Sequence, residues 1–269
     1  MTTNKYKLKN DEFLDAYPVH EQVKSLLNLP QFEQRSAEWF AQRKTRLTSS
    51  DIDTVLGNNK YGKPEDVLFK KCNLGKPFNG NVFTKHGQHY EEEAIEKYCE
   101  HYSKRVYSFG LLPHPTIEWI GGSPDDITTD GIVLEVKCPY SRKIIMGEVP
   151  KHYEAQVKMN MEIADLDKAV FIEYKPATET DDYILNVVEF TRDPAWLPSV
   201  IDELKTFWDS VLQYRQNGID THKLYDYYKA LNTEKVCISF SSEMGFIMNS
   251  QADNDIMETC EEDSSDDEN

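Results

Sequence analysis

The stretch from residue 121 to residue 139, GGSPDDITTDGIVLEVKCP, constrains the fold of this chain more than any other. Asp130–Gly131 is a strong signal for a tight β-hairpin turn. A three-residue loop that ends in a left-handed Gly131 sets Asp125 directly opposite Glu135. Opposed side chains on one face have Cβ atoms about 5 Å apart. That separation suits a divalent ion held by carboxylate oxygens. The stretch therefore predicts a rigid hairpin that presents a pair of acids.

A basic residue joins the two acids. Lys137 lies two residues after Glu135, and side chains two apart share one face of a strand. The intervening positions Ile132, Leu134 and Val136 are apolar and are expected to pack into a core. Carboxylate ligands suit Mg²⁺ or Mn²⁺ rather than zinc, and a nearby amine can orient a water for phosphodiester hydrolysis. A surface salt bridge on a hairpin is the alternative explanation for the same residues.

Composition limits the kind of protein. The chain has 269 residues, of which 39% are hydrophobic, so it can bury one sizeable core. There is no apolar run of 18 residues and the N-terminal residues are polar, so neither a membrane span nor a signal peptide is expected. The five cysteines are scattered without a CxxC pair, which favours reduced thiols inside a cell over a zinc or iron–sulfur site.

Charge is distributed unevenly along the chain. The formal net charge is −17, and residues 251–269 hold nine acids and no base. We expect this segment to be a disordered acidic tail. Residues 41–86 hold nine bases against four acids, although an ordinary solvated surface accounts for most of these lysines. The segment is therefore locally basic within an acidic chain.

Residues 36–51 predict two short helices with a polar junction. Ser36 can cap the first helix, which carries Trp39 and Arg43, and the hydroxyl cluster Thr48-Ser49-Ser50 opens the second. The free amides of a helix N-terminus attract anions, and Arg43 is close enough in sequence to converge with Ser50 on one phosphate. Ordinary N-capping explains the hydroxyls equally well.

Two further helices carry polar residues where apolar ones are expected. Glu91 lies on the apolar stripe of a predicted helix over 84–102. Burial of a carboxylate is costly without a cation, so Glu91 is either a third metal ligand or half of a structural ion pair. In a predicted helix over 151–164, Tyr153, Gln156 and Asn160 share one side, which faces either a pocket or solvent.

The remaining pattern indicates an α/β (α+β) protein with a central mixed β-sheet flanked by helices. The other expected helices and strands are helices over 11–29, 64–72, 193–215 and 222–232, and strands over 105–112, 116–120, 168–175, 182–190 and 235–240. We divide the chain into an N-terminal helical extension, a core, a C-terminal extension and the acidic tail. Their bounds are 1–35, 36–216, 217–250 and 251–269.

Five short motifs occur in order between Ser36 and Phe190. They are Trp39-x-x-x-Arg43 with Thr48-Ser49-Ser50, Gly87-Gln88-His89-Tyr90-Glu91, Ser123-Pro124-Asp125, Glu135-Val136-Lys137-Cys138-Pro139, and Tyr153-x-x-Gln156-Val157. Together they resemble the YqaJ-type viral recombinases, the family of bacteriophage lambda exonuclease. These proteins are restriction-endonuclease-like PD-(D/E)XK nucleases. The resemblance leaves both ends of the chain uncovered.

The resemblance implies a set of site residues. Asp125, Glu135 and Glu91 would bind metal, Lys137 would position the attacking water, and Gln156 would steady the site. Two Mg²⁺ ions are implied, with Mn²⁺ as a substitute.

The resemblance also implies how a DNA end is held. Arg43 and Ser50 would bind the terminal 5′-phosphate, with Ser49 and Tyr153 as further DNA contacts. The implied activity is digestion of linear double-stranded DNA from the 5′ end, which leaves a 3′ single strand for viral recombination, repair or replication. A single-strand annealing protein, a homotrimeric ring and a place in the cytoplasm or nucleus of an infected host cell are implied as well.

The chain departs from the family pattern at Asp126, where the family usually has glycine. The extra acid either alters metal affinity or faces solvent. Two other functions stay open: an RNA endonuclease on the same fold, and a catalytically silent scaffold that binds nucleic acid.

Overall fold

The computed structural model describes residues 4–12, 17–75 and 81–232. The predicted strand over 235–240 and the acidic tail over 251–269 lie outside these ranges. The chain divides into two compact units, Met1–Thr221 and His222–Asn269. In the second unit, residues 225–232 are helical.

The described part of the first unit contains seven α-helices and nine strands. Its α-helices are α1 (Glu21–Leu27), α2 (Ala37–Lys44), α3 (Ser49–Val55), α4 (Pro64–Lys71), α5 (Val82–Tyr102), α6 (Glu154–Ala164) and α7 (Trp196–Asn217). Its strands are β1 (Lys7–Leu8), β2 (Leu47–Thr48), β3 (Val106–Tyr107), β4 (Leu112–Pro113), β5 (Ile120–Gly122), β6 (Asp126–Thr128), β7 (Ile132–Lys137), β8 (Lys168–Lys175) and β9 (Ile184–Thr191). Short 3-10 turns at Lys151–Tyr153 and Ile219–Thr221 precede α6 and follow α7.

A mixed six-stranded sheet in the order β1-β3-β6-β7-β8-β9 forms the centre. The β1–β3 and β7–β8 pairs are parallel, and the other three pairs are antiparallel. A second sheet has the order β2-β5-β4. The predicted mixed α/β architecture is therefore confirmed. The strand β1 comes from the segment that we expected to be a helical extension, and it joins the central sheet.

Each face of the central sheet is covered by helices. On one face, the apolar stripe of α5 packs against Leu134 and Val136, as the alternation along β7 predicts. On the other face, Val133 and Phe171 lie in the core that α6 and α7 close. Glu135 shares the face of Val133, so the fold directs its carboxylate toward α6.

The predicted hairpin register is confirmed. Asp126 pairs with Leu134 and Ile127 with Val133, and Gly131 has a φ of 84°. Continued by one residue, this register sets Asp125 opposite Glu135.

The prediction of a helix over 11–29 is wrong for residues 17–20, because α1 begins only at Glu21. Pro18 disfavours a helical conformation in the residue before it, and the His20 amide donates to the Thr129 carbonyl at 2.8 Å instead of continuing a helix. The strands predicted over 105–112 and 116–120 are shorter, and they are divided between the two sheets. Among the described residues, no helix is both long and apolar enough to cross a membrane.

Candidate active site

The carboxylate of Glu135 is the best-anchored group in the site. Glu135 is 0% exposed, and its Oε1 accepts hydrogen bonds from Gln156 Nε2 at 2.6 Å and from the Lys137 ammonium. Its Oε2 accepts from Asn160 Nδ2 at 2.9 Å. Gln156 and Asn160 are four residues apart on α6, so they lie on one face of that helix. The polar stripe of α6 thus faces the pocket, and Asn160 is a site residue that the motifs did not identify.

Asp125 stands at the entrance to β6. Its Oδ2 accepts a hydrogen bond from the Val136 amide at 2.6 Å, which ties the carboxylate to the strand that carries Glu135. Burial raises the pKa of Asp125, and the ammonium of Lys137 opposes that rise. Burial also raises the pKa of Glu135 to about 7, with Lys137 opposing and Asp125 adding to the rise. The two carboxylates therefore destabilise each other's ionised form.

Glu91 contributes a third carboxylate from α5. Its pKa is raised to about 8, first by burial and then by the charge of Asp125, while Lys137 and Arg35 oppose the rise. Glu91 thus lies in the electrostatic field of the hairpin acids, as its place on the apolar stripe of α5 suggested. Arg35 is exposed and adopts a φ of 72°. It is a neighbour of the acids that no motif indicated.

Lys137 is held in its charged form. Burial lowers its pKa, but Glu135 and Asp125 raise it more, so the net shift is upward. Its Nζ lies 5.3 Å from the centroid of the Tyr153 ring. A protonated amine can donate hydrogen bonds and neutralise charge, but it cannot accept a proton from water. In this arrangement the Lys137 ammonium can donate hydrogen bonds and neutralise negative charge, but it cannot act as a base.

The carboxylate oxygens of Glu91, Asp125 and Glu135 are the kind of ligand that a hard divalent cation prefers. Three carboxylates with raised pKa values are a cluster of negative charge that lacks sufficient compensation, and all-oxygen ligands suit Mg²⁺ or Mn²⁺. As placed in the described part of the chain, no group of three or more His, Cys, Asp or Glu side chains is already arranged around an ion position. The hydrogen bond from Lys137 occupies one oxygen of Glu135 in this state.

A second cluster lies at the junction of α2, β2 and α3. Arg43 donates from one guanidinium nitrogen to Ser50 Oγ at 2.8 Å and to Thr48 Oγ1 at 3.2 Å. The guanidinium carbon lies 4.4 Å from the centroid of the Trp39 ring. The structure thus brings Arg43 and Ser50 together, and their convergence on one phosphate stays a prediction. We call Arg43, Thr48 and Ser50 the arginine cluster.

Two predicted DNA contacts lie elsewhere. Ser49 is 2% exposed, and a methyl group added to Gly122 would come within 2.8 Å of its hydroxyl, so its side chain packs inward. Tyr153 stacks on Phe171 with ring centroids 5.5 Å apart and lies beside Lys137. Tyr153 therefore belongs with the carboxylates, and the structure does not bring it to the arginine cluster.

A buried ion pair supports the arginine cluster. Lys71 Nζ donates to the carbonyls of Arg43 and Arg46, at 2.8 and 2.7 Å, and lies 2.8 Å from Asp51 Oδ2. The same Asp51 oxygen accepts from the amide and the hydroxyl of Thr48, at 3.1 and 2.5 Å. Burial opposes ionisation of Asp51, yet Lys71 and Lys70 hold the pKa of its carboxyl well below the usual range. Sequence reasoning missed Lys71, which is an ordinary basic residue in the last turn of a helix.

The two clusters are linked through Trp39. Its indole Nε1 donates to Ser123 Oγ at 2.9 Å, two residues before Asp125. Gln34 Nε2 also donates to the Phe109 and Pro124 carbonyls, at 2.9 and 3.2 Å. The chain just before α2 and the start of α2 thus hold the entrance to the hairpin.

Of the two alternatives for Asp126, the one in which it faces solvent is wrong. Asp126 is 0% exposed, accepts from Ser108 Oγ at 2.7 Å and lies 3.3 Å from Lys7 Nζ. Burial raises its pKa to about 7 against the opposing charge of Lys7. Because successive side chains on a strand point to opposite faces, Asp126 points away from Asp125.

Comparison with known proteins shows a family to which part of the chain is similar. Residues 38–167 match the YqaJ-like viral recombinase domain. An uncharacterized protein of Acanthamoeba polyphaga mimivirus is 34% identical over 164 residues, which cover 55% of this chain and 30% of that protein. A protein of African swine fever virus (strain Badajoz 1971 Vero-adapted) is 22% identical over 176 residues, which cover 52% of this chain and 49% of that protein. The chain thus spans half or less of the length of these viral relatives.

Solved structures share the fold. The structure resembles LHK-Exo in complex with dAMP with a TM-score of 0.58 and 23% identity, over 67% of this chain and 95% of that one. A second structure of LHK-Exo, an alkaline exonuclease from Laribacter hongkongensis, has a TM-score of 0.56 at the same identity and coverage. Residues 38–167 are therefore similar to the YqaJ-like viral recombinase domain, and the shared fold agrees with that similarity.

Proposed function

We propose that the chain is a nuclease that digests linear double-stranded DNA from the 5′ end and leaves a 3′ single strand. The observation that carries the proposal is the anchoring of Glu135 by Lys137, Gln156 and Asn160 in the electrostatic field of Asp125. The family match and the shared fold support a nuclease. The polarity and the choice of duplex DNA come from the family resemblance and are part of the proposal.

Asp125, Glu135 and Glu91 would hold divalent ions, which we propose to be two Mg²⁺ that Mn²⁺ can replace. When bound, such ions supply Lewis-acid activation of the scissile phosphate and of an attacking water. Gln156 and Asn160 orient the carboxylate of Glu135, and as hydrogen-bond donors they favour its ionised form against the opposing effect of burial. Lys137, as an ammonium, would donate to the attacking water or to a phosphate oxygen.

The arginine cluster would bind the terminal 5′-phosphate. A guanidinium and a phosphate form charge-assisted hydrogen bonds in a fixed geometry, and the exposed Ser50 hydroxyl lies beside the same guanidinium. The buried Thr48 hydroxyl donates to Asp51 and accepts from Arg43, so it orients the guanidinium instead of contacting the phosphate. Contacts to phosphate carry no base sequence information, so cleavage should show little sequence preference and binding should weaken with salt.

The test is cleavage of a 5′-phosphorylated linear duplex in Mg²⁺, with label at either end to show the polarity. We expect Lys137→Met to abolish measurable cleavage. Lys168→Met is the matched control, because Lys168 is exposed and pairs with Ile132, at the other end of β7 from Lys137. Undiminished cleavage by Lys137→Met would overturn the assigned role.

The same experiment separates the two other functions. Faster cleavage of a structured RNA than of the DNA duplex at equal enzyme would identify an RNA endonuclease. Binding without cleavage in any divalent ion would identify a silent scaffold.

We extend the proposal to the assembly. A homotrimer around DNA and a single-strand annealing protein as partner follow from the family resemblance. Sedimentation of the full chain with and without duplex DNA tests the trimer, and a monomer under both conditions would refute it.

A further inference from the structure

One exposed aromatic ring near the carboxylates has no place in the proposed chemistry. Tyr61 is 69% exposed, the largest exposed fraction given for any large hydrophobic side chain in the described residues. It lies in the loop between α3 and α4. Exposure of a tyrosine costs little, but an exposed ring held at a fixed position beside an active site is a candidate contact for a ligand.

Hydrogen bonds fix the backbone of this loop. The amides of Asn58 and Asn59 both donate to the Asp53 carbonyl, at 2.8 and 3.2 Å. Asn59 Nδ2 donates to Thr54 Oγ1 at 2.9 Å, and the Tyr61 amide donates to Asn59 Oδ1 at 3.0 Å. The loop is thereby attached to α3, so Tyr61 is presented in one backbone conformation before any ligand arrives.

The loop is also attached to the helix that carries Gln156. The carboxylate of Asp53 accepts from the Gln156 amide at 3.0 Å, while the Gln156 side chain holds Glu135. Asp53 therefore fixes the position of the Tyr61 loop relative to Gln156, which supports Glu135.

A row of rings leads from Tyr61 to the proposed catalytic lysine. Tyr61 meets His152 edge to face with centroids 5.5 Å apart, and His152 and Tyr153 follow at 4.2 Å. Lys137 Nζ lies 5.3 Å from the Tyr153 ring. Tyr61 is thus the outer end of a short row, within a few nucleotides' length of Lys137, since bases along one strand are about 3.4 Å apart.

Positive charge surrounds this row. Lys60 Nζ lies 5.1 Å from the Tyr61 ring centroid. Burial lowers the pKa of His152, and the charges of Arg142, Lys60 and Lys137 lower it further, which indicates a positive local potential. In a chain with a net charge of −17, such a region is complementary to a phosphate backbone.

We propose that Tyr61 is a stacking platform for an unpaired base of the strand that enters the proposed active site. The inference rests on the proposed nuclease function and deepens it, because it assigns a site that accepts a frayed or single-stranded end rather than a paired one. Aromatic rings next to basic residues are the usual means by which proteins hold single strands without regard to sequence.

The strength of such a contact sets the expected effect. Stacking of a base on an aromatic side chain contributes about 1–3 kcal/mol, which corresponds to about a 5- to 150-fold change in affinity. Removal of the ring should therefore weaken binding without a change in the chemistry of the bound strand.

The experiment measures binding of a fluorescent 5′-phosphorylated duplex with a short unpaired 5′ end, by anisotropy in EDTA. We expect Tyr61→Ala to raise the Kd at least about 5-fold, and Tyr61→Phe, which keeps the ring, to bind like the unaltered protein. Tyr102→Ala is the matched control, because Tyr102 is 43% exposed at the far end of α5. The same series in Mg²⁺ should show the loss in KM, with kcat within about 2-fold.

A second substrate, in which the unpaired nucleotides lack their bases, identifies stacking as the cause. The unaltered protein should bind it as weakly as Tyr61→Ala does, and Tyr61→Ala should lose nothing further. Equal affinity of Tyr61→Ala and the unaltered protein for the intact end would overturn the inference. The inference would also fail if Tyr61→Ala weakened binding of the base-free end as much as it weakened binding of the intact end. Absence of cleavage by the unaltered protein would instead refute the proposed function, and the binding result would still stand.

Discussion

The carboxylate site, formed by Glu91, Asp125 and Glu135, and the arginine cluster differ in how well their acidic side chains are compensated by nearby cations. At the hairpin, Glu91, Asp125 and Glu135 all have raised pKa values, so burial and mutual repulsion disfavour their ionised forms. At the arginine cluster, Asp51 has a pKa held well below its usual range, so its charge is compensated inside the fold. The first site gains from a bound cation, and the second presents donors to an anion.

The difference shows how one fold can offer two kinds of site for the proposed reaction: one suited to a cation and one suited to a phosphate. The arginine cluster is built on a buried ion pair that needs no ligand, so its geometry is already formed for the phosphate that we propose it binds. The carboxylate site stays electrostatically unfavourable until an ion arrives. Trp39, which contacts Arg43 and Ser123, joins the two in one rigid unit.

The largest expected effect concerns the buried support of the arginine cluster. Lys71→Met leaves the Asp51 carboxylate without its nearest cation, and loss of one partner from a buried pair costs about 3–5 kcal/mol. Urea unfolding should show that loss. Lys70→Met removes a lysine that is 57% exposed, 3.2 Å from the same aspartate, and should cost at most about 1 kcal/mol. Similar losses from both variants would show that the arginine cluster does not depend on a buried pair.

The next effect tests the carboxylate site. Glu135→Gln places an amide nitrogen among the donors of Gln156, Asn160 and Lys137, so the cleavage rate should fall by about 100-fold or more. Steady-state cleavage of linear duplex DNA in Mg²⁺ measures the fall. Glu189→Gln, on the exposed side of β9, should keep the full rate. If Glu135→Gln cleaved at nearly the rate of the unaltered protein, Glu135 would have no role in the reaction.

A smaller effect tests whether the arginine cluster prefers an anion. Arg43→Met should raise KM for 5′-phosphorylated ends by about 10- to 100-fold, because a hydrogen bond to a charged group contributes about 1.5–3 kcal/mol. Ends with a 5′-hydroxyl should be cleaved with the same KM by both proteins. Lys44→Met, at the neighbouring exposed position, is the control. An equal loss on both kinds of end would mean that Arg43 supports the fold rather than reading the phosphate.

The last test is a pH dependence that separates the two regions. The native pKa values of Glu135 and Glu91, about 7 and about 8, exceed the ordinary value of about 4.3. The native state therefore binds more protons than the unfolded state across that interval, and the free energy of unfolding falls as pH rises from about 5 to about 8.

Divalent ions should reverse this slope. Thermal unfolding across the same pH range in EDTA and in Mg²⁺ measures the difference, which isolates the ion site from Asp126, whose raised pKa adds a slope that the ion does not relieve. Glu91→Gln should flatten the curve in EDTA. Parallel curves with and without Mg²⁺ would contradict a cation site at these acids.

Local patterns predicted much of the candidate site. The opposition of Asp125 and Glu135 follows from a left-handed Gly131 and a short loop, and the meeting of Arg43 with Ser50 spans only seven residues. In both cases the chain is too short between the residues to offer many other arrangements. The hairpin and the helix spacing were therefore readable without tertiary information.

The contacts that sequence reasoning missed are long-range. Lys71 meets the Arg43 carbonyl, Asp126 meets Lys7, and Tyr61 meets His152. None of these residues differs in type from an ordinary surface residue, so no local pattern could reveal the partner or the burial.

By itself, the sequence determined which acids share a strand face, which residues begin the helices and which family the motifs resemble, because each depends on spacing along a short stretch of chain. Only the tertiary structure decided which charges are compensated and which are not. Burial and the approach of distant cations set the pKa of a carboxylate, and both are properties of the packed fold.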